Sequence, residues 1–269
     1  TNTQILNASS ITKYGTSTGI LRLFTQIGLL IGFFVLGQLL PKYGYSSLFL
    51  FAGLVTSLGV ITTLFVSKGS YNHLKLSMRE VLLSMVNRGA WLISLFLFVS
   101  SFSYGLILNL LNFFVERSFG LGMMNKTLIF FYLSAGIFSL LGGMISDKVG
   151  RKKTITFAFL IGALGLIVPL YWNNPFAVAL TSFFLGMEYA TVATVSIAWI
   201  GDITAQEERP TVLGAISSWG NLGVAFSIIF GGFLAQWKVS FEASFLIFAA
   251  LFLSLSLLCG LKTFGSRNL

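Results

Sequence analysis

Charged residues are scarce in this sequence, and their scarcity narrows the class of protein. Asp, Glu, Lys and Arg make up 9% of the 269 residues, whereas 55% are hydrophobic and the mean hydropathy is +0.88. Soluble domains usually carry about 25% charged residues. A soluble fold of this length could not bury so much apolar surface, so we predict that the chain lies in a lipid bilayer.

Cysteine and histidine each occur once, as Cys259 and His73. A single cysteine excludes an internal disulfide, and a single histidine without a cluster of Cys, His or carboxylates argues against a metal centre. The sequence also lacks a nucleophile elbow, an H-E-x-x-H motif and a P-loop. We therefore expect no enzyme, no metal and no resident cofactor, although a proton or another coupling ion is compatible with this composition.

Long apolar runs dominate what is present. A membrane-spanning helix needs about 20 mostly apolar residues. Eight runs qualify: 17–40, 47–67, 91–114, 127–146, 154–172, 175–200, 211–236 and 241–261. The runs are continuous, unlike the short alternating strands of a membrane barrel. The predicted fold class is therefore an all-α integral membrane protein with eight transmembrane helices.

The net charge of +9 comes from basic residues in the connections between these runs. Such a charge would suggest nucleic acid in a soluble protein, but here it sets the orientation in the membrane, and no nucleic-acid partner is expected. The connections rich in basic residues contain Lys13, Lys68, Lys75, Arg79, Arg88, Lys148, Arg151, Lys152, Lys153, Arg209, Lys262 and Arg267. The alternate connections contain only Lys42, Arg117, Lys126 and Lys238. The positive-inside rule places the richer set, both chain ends and the 147–153 loop in the cytoplasm of a multi-pass cell-membrane protein.

Three glycines spaced nine residues apart recur 195 residues later in the sequence. The two sets are Gly19, Gly28, Gly37 and Gly214, Gly223, Gly232. Chance similarity between glycine-rich helices is the alternative interpretation. A genuine repeat of this length predicts a unit of six helices.

The repeat divides the chain into three parts. Residues 1–67 would hold the last two helices of one six-helix half, residues 68–90 a central cytoplasmic loop, and residues 91–269 a complete six-helix half. The counterparts of the helices at 91–200 would then precede residue 1. We accordingly expect four further helices upstream in the reading frame.

A charged turn interrupts the apolar sequence at Gly143-x-x-x-Asp147-Lys148-x-Gly150-Arg151-Lys152-Lys153. Gly150 can supply a tight turn, because it tolerates positive φ. Asp147 can accept charge-assisted hydrogen bonds from cations or from the N-terminus of another helix. The basic residues hold the turn in the cytoplasm.

This turn resembles the signature loop of the major facilitator superfamily, G-x-x-x-D-R/K-x-G-R-R/K-R/K, at every constrained position. The resemblance implies a twelve-helix bundle of two six-helix pseudo-repeats, of which this chain would be an N-terminally truncated piece covering helices 5–12. It also implies a gate in which Asp147 and Arg151 latch the two halves in the outward-open state. The implied gating residues are Gly143, Asp147, Lys148, Gly150, Arg151 and Lys152. A basic loop that only orients the helices is the alternative.

Polar residues inside membrane helices are costly and therefore informative. Glu188, beside Tyr189, lies near the middle of the 175–200 run. Desolvation there disfavours the charged form of the carboxylate, which suits a proton carrier, although a packing hydrogen bond to another helix is the alternative. The resemblance places helices 7 and 10 on the cavity, so Asn109 and Asn112 join Glu188 as preferred ligands, with Tyr104 beside them.

Two further helices carry candidate polar residues. Arg22 and Gln26 lie one turn apart, and Arg22 could contact an anionic substrate or the Asp147 latch, or simply extend towards the cytoplasm. Asn221 and Trp219 are secondary candidates in the eleventh helix, and Trp219 fits packing equally well.

These features predict a secondary active transporter that moves a small organic solute by alternating access with proton coupling. The expected partners are a sugar, an organic acid or a lipophilic compound, together with the lipid bilayer, and the full-length protein is expected to be a monomer. The alternative is a sensor or regulator that does not transport, or an inactive fragment, on a transporter scaffold.

Overall fold

The computed structural model describes residues 2–63, 90–172 and 174–264. Its helices are α1 (Asn2–Ala8), α2 (Tyr14–Thr63), α3 (Ala90–Phe119), α4 (Leu121–Val149), α5 (Arg151–Tyr171), α6 (Pro175–Ile203), α7 (Arg209–Gln236) and α8 (Phe241–Phe264). All regular structure in these ranges is helical, as predicted. The predicted central loop at 68–90 lies outside the described residues except for Ala90.

Six of the helices, α3 to α8, are long and apolar enough to cross a membrane. They coincide with the last six predicted runs, although α3 and α4 extend several residues beyond 91–114 and 127–146. The first predicted run, 17–40, and the second, 47–67, as far as Thr63 lie in α2, which is interrupted at Gly44 with φ 69° and ψ −173°, while residues 64–67 lie outside the described residues. The count of eight membrane-spanning helices therefore stays a prediction.

Turn chemistry separates the helices that the apolar runs predict. Gly150, with φ 104°, ends α4 and begins α5, a conformation that a side chain would strain. Asn174 caps α6 because its side chain accepts a hydrogen bond from the Ala177 amide at 2.8 Å, and Pro175 occupies the first helical position.

The element boundaries follow the same offset as the repeated glycines. Tyr14 begins α2 and Arg209 begins α7, 195 residues apart. The interruption of α2 at Gly44 likewise corresponds to the turn between α7 and α8. The helix ends therefore share the offset of the glycines, and the repeat of six-helix units stays a prediction.

Aromatic side chains fill the space between α3, α5 and α8. Phe159 of α5 contacts Phe96 and Phe252, each with its ring centroid 5.8 Å away. On the opposite side of α3, Gly223 of α7 lets the helices approach so closely that a Cβ there would collide with the Phe98 carbonyl. In lipid such packing, and not removal from water, supplies most of the attraction between helices.

Candidate functional site

Asp147, the last acidic residue of α4, binds the beginning of α2. Its Oδ1 accepts a hydrogen bond from the Gly15 amide at 2.9 Å, and its Oδ2 accepts from the Thr16 amide at 2.8 Å and the Thr16 hydroxyl at 2.6 Å. Amides in the first turn of a helix have no partner within the helix, and the helix dipole favours a negative charge there. The carboxylate therefore joins the first residues of α2 to the end of α4.

Arg151 extends this contact to a third helix. Its Nη1 donates to Asp147 Oδ1 at 2.5 Å and to Ser146 Oγ at 2.7 Å. Its Nε donates to Asp202 Oδ2 at 2.9 Å, and Nη2 reaches Asp202 Oδ1 at 3.4 Å. One guanidinium thus connects the α4–α5 turn to the end of α6, and we call Gly15, Thr16, Asp147, Arg151 and Asp202 the latch.

The other predicted gating residues surround the latch in different ways. Gly143 touches Gly15 backbone to backbone, and a Cβ on either glycine would collide with the other helix. Lys148 is exposed and Lys152 is half-buried, and neither forms an ion pair within the described ranges. Asp202 was not predicted as a partner of Arg151, although it is one of only eight acidic residues in the chain.

A second polar cluster lies beside the latch and was not predicted. The buried Arg209 donates to Asn7 Oδ1 at 2.9 Å through Nη1, and to the Tyr14 hydroxyl at 2.8 Å and the Gly201 carbonyl at 3.1 Å through Nη2. Within the described residues no carboxylate pairs with it. Arg209 therefore connects α1, the start of α2, the end of α6 and the start of α7.

A cavity of about 540 Å³ opens between α2, α3, α4, α6 and α7. Its lining residues are Leu21, Arg22, Thr25, Gln26, Leu29, Tyr104, Tyr132, Tyr189, Asn221 and Val224. A smaller cavity of about 120 Å³ shares four of these residues with it: Arg22, Tyr189, Asn221 and Val224. Five predicted site residues from four helices thus meet here: Arg22, Gln26, Tyr104, Tyr189 and Asn221.

Tyrosine side chains form one wall of the larger cavity. The rings of Tyr104 and Tyr189 stack with centroids 5.5 Å apart at an interplanar angle of 22°. The Tyr132 and Tyr104 hydroxyls lie 3.0 Å apart and share a hydrogen bond. Tyr132 was missed by the sequence analysis, because nothing in its local sequence separates it from a packing aromatic residue.

Arg22 and Gln26 of α2 line the cavity without a carboxylate partner among the described residues. No hydrogen bond or ion pair reaches the Arg22 guanidinium within the part of the chain that the structure describes. Gln26 is 5% exposed, and its Oε1 has no hydrogen-bond partner among the described residues. The cavity therefore contains polar groups whose hydrogen-bonding capacity is unused.

Glu188 lies outside both cavities, although the next residue lines them. It is fully buried, and its Oε2 accepts a hydrogen bond from Ser103 Oγ at 2.5 Å, while Oε1 has no partner among the described residues. Its side chain covers Gly162 of α5, where an added Cβ would lie 2.7 Å from Glu188 Cγ and 3.0 Å from the Phe252 ring. Both the proton-carrier and the packing interpretations are compatible with this position.

The other three predicted residues do not line the cavities either. Asn109 donates to the Ile228 carbonyl at 2.9 Å, Asn112 accepts from Thr127 at 3.3 Å, and Trp219 packs edge to face on Phe98. Residues Ile107–Leu111 of α3 form a π-helical turn, which rotates the side chains that follow it relative to a regular α-helix. These residues contact neighbouring helices in the structure, and their role as ligands stays a prediction.

Comparisons with known proteins agree with this fold. The sequence profile of the Major Facilitator Superfamily matches residues 127–266, just over half of the chain. An uncharacterised MFS-type transporter of Methanocaldococcus jannaschii is 26% identical over 250 residues, covering 90% of this chain and 62% of its own length. The cis,cis-muconate transport protein of Acinetobacter baylyi is 23% identical over 242 residues, covering 84% of this chain and 59% of its own length.

A solved structure has the same architecture. The human organic anion transporter MFSD10 superposes with a TM-score of 0.78 at 15% sequence identity, covering 96% of this chain and 66% of its own. The chain spans about three-fifths of the length of the two sequence relatives. It belongs to the Major Facilitator Superfamily, as its signature loop predicted, and this family indicates a transporter and not an enzyme.

Proposed function

We propose that this chain functions in a secondary active transporter that moves a small organic solute across the membrane by alternating access. The observation that carries the proposal is the position of the cavity beside the latch. Asp147 holds the start of α2, and the cavity begins at Leu21, about two turns further along that helix. A polar cavity between helices, next to a breakable ionic contact, suits the rocking of one helix bundle against another.

Relatives support the kind of solute. One relative transports cis,cis-muconate and the solved neighbour is an organic anion transporter, by their names. We propose that the solute of this chain is likewise a small organic molecule: a sugar, an organic acid or a lipophilic compound. We expect the protein to act in the cell membrane as a monomer. The latch would face the cytoplasm, because its connection belongs to the set that is rich in basic residues.

Counterflow in liposomes tests this proposal, with the product of the whole natural reading frame as the protein. Liposomes containing the protein are loaded with an unlabelled sugar, organic acid or lipophilic solute, and uptake of the same solute in labelled form is measured. For one of these classes, uptake should be faster than into liposomes without internal solute. A sensor or regulator on the same scaffold would bind a solute without exchanging it. Absence of counterflow for every class that binds would contradict the transporter.

Glu188 is the proposed site of proton coupling. Its carboxylate is buried among α3, α5, α6 and α8, with one oxygen bound to Ser103 and the other without a described partner. A carboxylate can take up and release a proton, and a charge is costly between membrane helices, so gain or loss of that proton can be coupled to helix movement. Tyr189, its neighbour in sequence, lines the solute cavity and connects the two sites.

Replacement of Glu188 by Gln keeps the shape of the side chain and removes its exchangeable charge. Glu188→Gln should therefore retain counterflow but lose accumulation driven by a pH gradient, with Glu116→Gln, at an exposed carboxylate of α3, as the matched control. Full pH-driven accumulation in Glu188→Gln would contradict proton coupling at Glu188 and would assign its hydrogen bond with Ser103 to packing only.

A further inference from the structure

Arg22 gives the cavity one positive charge that no described residue neutralises. It lines both the larger and the smaller cavity, and neither lining contains Asp or Glu. The latch carboxylate is not its partner, because Asp147 binds Gly15, Thr16 and Arg151. A guanidinium between membrane helices is costly without an anion, so an anionic ligand would complete its surroundings.

The arginine also restricts the shape of the anion. Its planar guanidinium offers parallel N–H groups that match the two oxygens of a carboxylate. Gln26 lies one turn further along α2, is nine-tenths buried, and has an amide oxygen without a described partner. An amide in this position can accept a hydrogen bond from a hydroxyl or amino substituent on the ligand.

The tyrosine wall selects for a flat ring. Tyr104 and Tyr189 are already stacked on each other, and the hydroxyl of Tyr104 is held by Tyr132 at 3.0 Å. A rigid aromatic surface of this kind binds another ring in an offset or edge-to-face arrangement. Tyrosine faces would also attract an organic cation, but the charge of Arg22 in the same cavity opposes it.

We propose that this cavity takes a singly charged aromatic carboxylate, with the carboxylate on Arg22 and the ring against Tyr104 and Tyr189. The assignment rests on the proposed transport function, since it identifies the class of solute for that cavity. A volume of about 540 Å³ is ample for one or two rings.

Three ligands of nearly equal size separate the contributions of charge and ring. They are 2-naphthoate, its neutral isostere 2-naphthamide, and the saturated anion decahydro-2-naphthoate. Binding is measured at equilibrium on the detergent-purified product of the natural reading frame, by displacement of radiolabelled 2-naphthoate. We expect 2-naphthoate to bind at least tenfold more tightly than either of the other two, whereas equal affinity for the amide would overturn the assignment.

Variants assign each contribution to its residue. Arg22→Gln should weaken 2-naphthoate binding at least tenfold and leave 2-naphthamide unchanged, while Tyr189→Leu should weaken 2-naphthoate and leave the saturated anion unchanged. Lys13→Gln removes a nearby exposed charge outside the cavity and is the control, with no expected effect. Equal losses for acid and amide in Arg22→Gln would overturn the proposal.

A conservative variant separates a specific loss of binding from a general loss of folding. Arg22→Lys keeps the charge but loses the paired N–H groups, so its affinity for 2-naphthoate should fall between those of the wild type and Arg22→Gln. Wild-type affinity in Arg22→Lys would contradict the bidentate carboxylate contact.

Binding and transport can fail separately. If 2-naphthoate binds through Arg22 but undergoes no counterflow, the ligand assignment stands and the transport function fails. If counterflow occurs only with a neutral or cationic solute, the transport function stands and the ligand assignment fails.

Discussion

At the scale of single residues, Asp147 connects the signature loop to the beginning of α2. Its two carboxylate oxygens accept three hydrogen bonds from Gly15 and Thr16, and the carboxylate forms an ion pair with Arg151. Both members of the ion pair are largely shielded from solvent, with 7% and 11% of their side chains exposed. An ion pair so placed is screened less than a surface pair, so the loss of its charge has a measurable cost.

Replacing Asp147 by Asn tests the latch directly. The amide keeps the size of the side chain but loses the charge and one acceptor oxygen, which should weaken the latch by about 1–3 kcal/mol. Such a change shifts an equilibrium between closed and open latch by about fivefold to 150-fold. We expect the transport rate to fall severalfold, measured as initial counterflow, with unchanged membrane insertion.

Lys153→Gln is the control for this variant, because Lys153 is exposed next to the same turn, is not one of the predicted gating residues and has no ion pair in the described ranges. It should transport at the wild-type rate. An unchanged rate in Asp147→Asn would instead leave the loop with only an orienting role.

At the scale of helices, two polar contacts hold the beginning of α2. Asp147 binds the α2 amides from α4, and Arg209 binds the Tyr14 hydroxyl from α7. Tyr14 and Arg209 each begin a helix and lie 195 residues apart, so they would be equivalent positions in the predicted repeat. In that repeat the two units would contact each other through corresponding residues.

Replacing Arg209 by Gln should destabilise this helix junction. The variant loses hydrogen bonds to Asn7, Tyr14 and Gly201, and the two buried acceptors, Tyr14 and Gly201, lose their donor, at a cost of about 1–3 kcal/mol. Thermal unfolding in detergent should show a lower midpoint than the wild type, whereas Arg117→Gln, at an exposed position, should not.

Coupling between the two residues gives a sharper test. Tyr14→Phe alone removes one hydrogen bond and should cost about 1 kcal/mol. The double variant with Arg209→Gln should lose less stability than the sum of the single losses, because both remove the same bond. Simple additivity would show that the Tyr14 contact contributes nothing to stability.

Hydropathy and one motif were enough to predict α3 to α8 and the residues at the centre of the latch, because both signals are local in sequence. The partners of those residues were not predictable in the same way. Asp202 meets Arg151, and Arg209 meets Tyr14, only after distant helices pack. The π-helical turn in α3 has no local sequence signal either, and it changes the direction of Asn112 relative to a regular α-helix.

At the scale of the whole molecule, the chain belongs to the Major Facilitator Superfamily, and the starts of α2 and α7 share the 195-residue offset of the predicted repeat. The latch joins α2 to the α4–α5 turn. The cavity lies further along α2, between this helix and α3, α4, α6 and α7. Large apolar side chains of α2, including Phe24, Phe34 and Phe49, are exposed and suit contact with lipid or with further helices. Movement of α2 relative to α4 would open or close the space between them.

The distance across the latch is the measurement that tests this account most directly. Spin labels at Lys13→Cys and Lys148→Cys, both exposed, would flank the latch in a background where Cys259 and any other cysteine of the natural reading frame are replaced by Ser. Pulsed electron paramagnetic resonance should give mainly a short distance in the otherwise unchanged protein, and Asp147→Asn should shift population to a longer one. A single distance distribution, identical with and without Asp147→Asn, would contradict a latch that opens and closes.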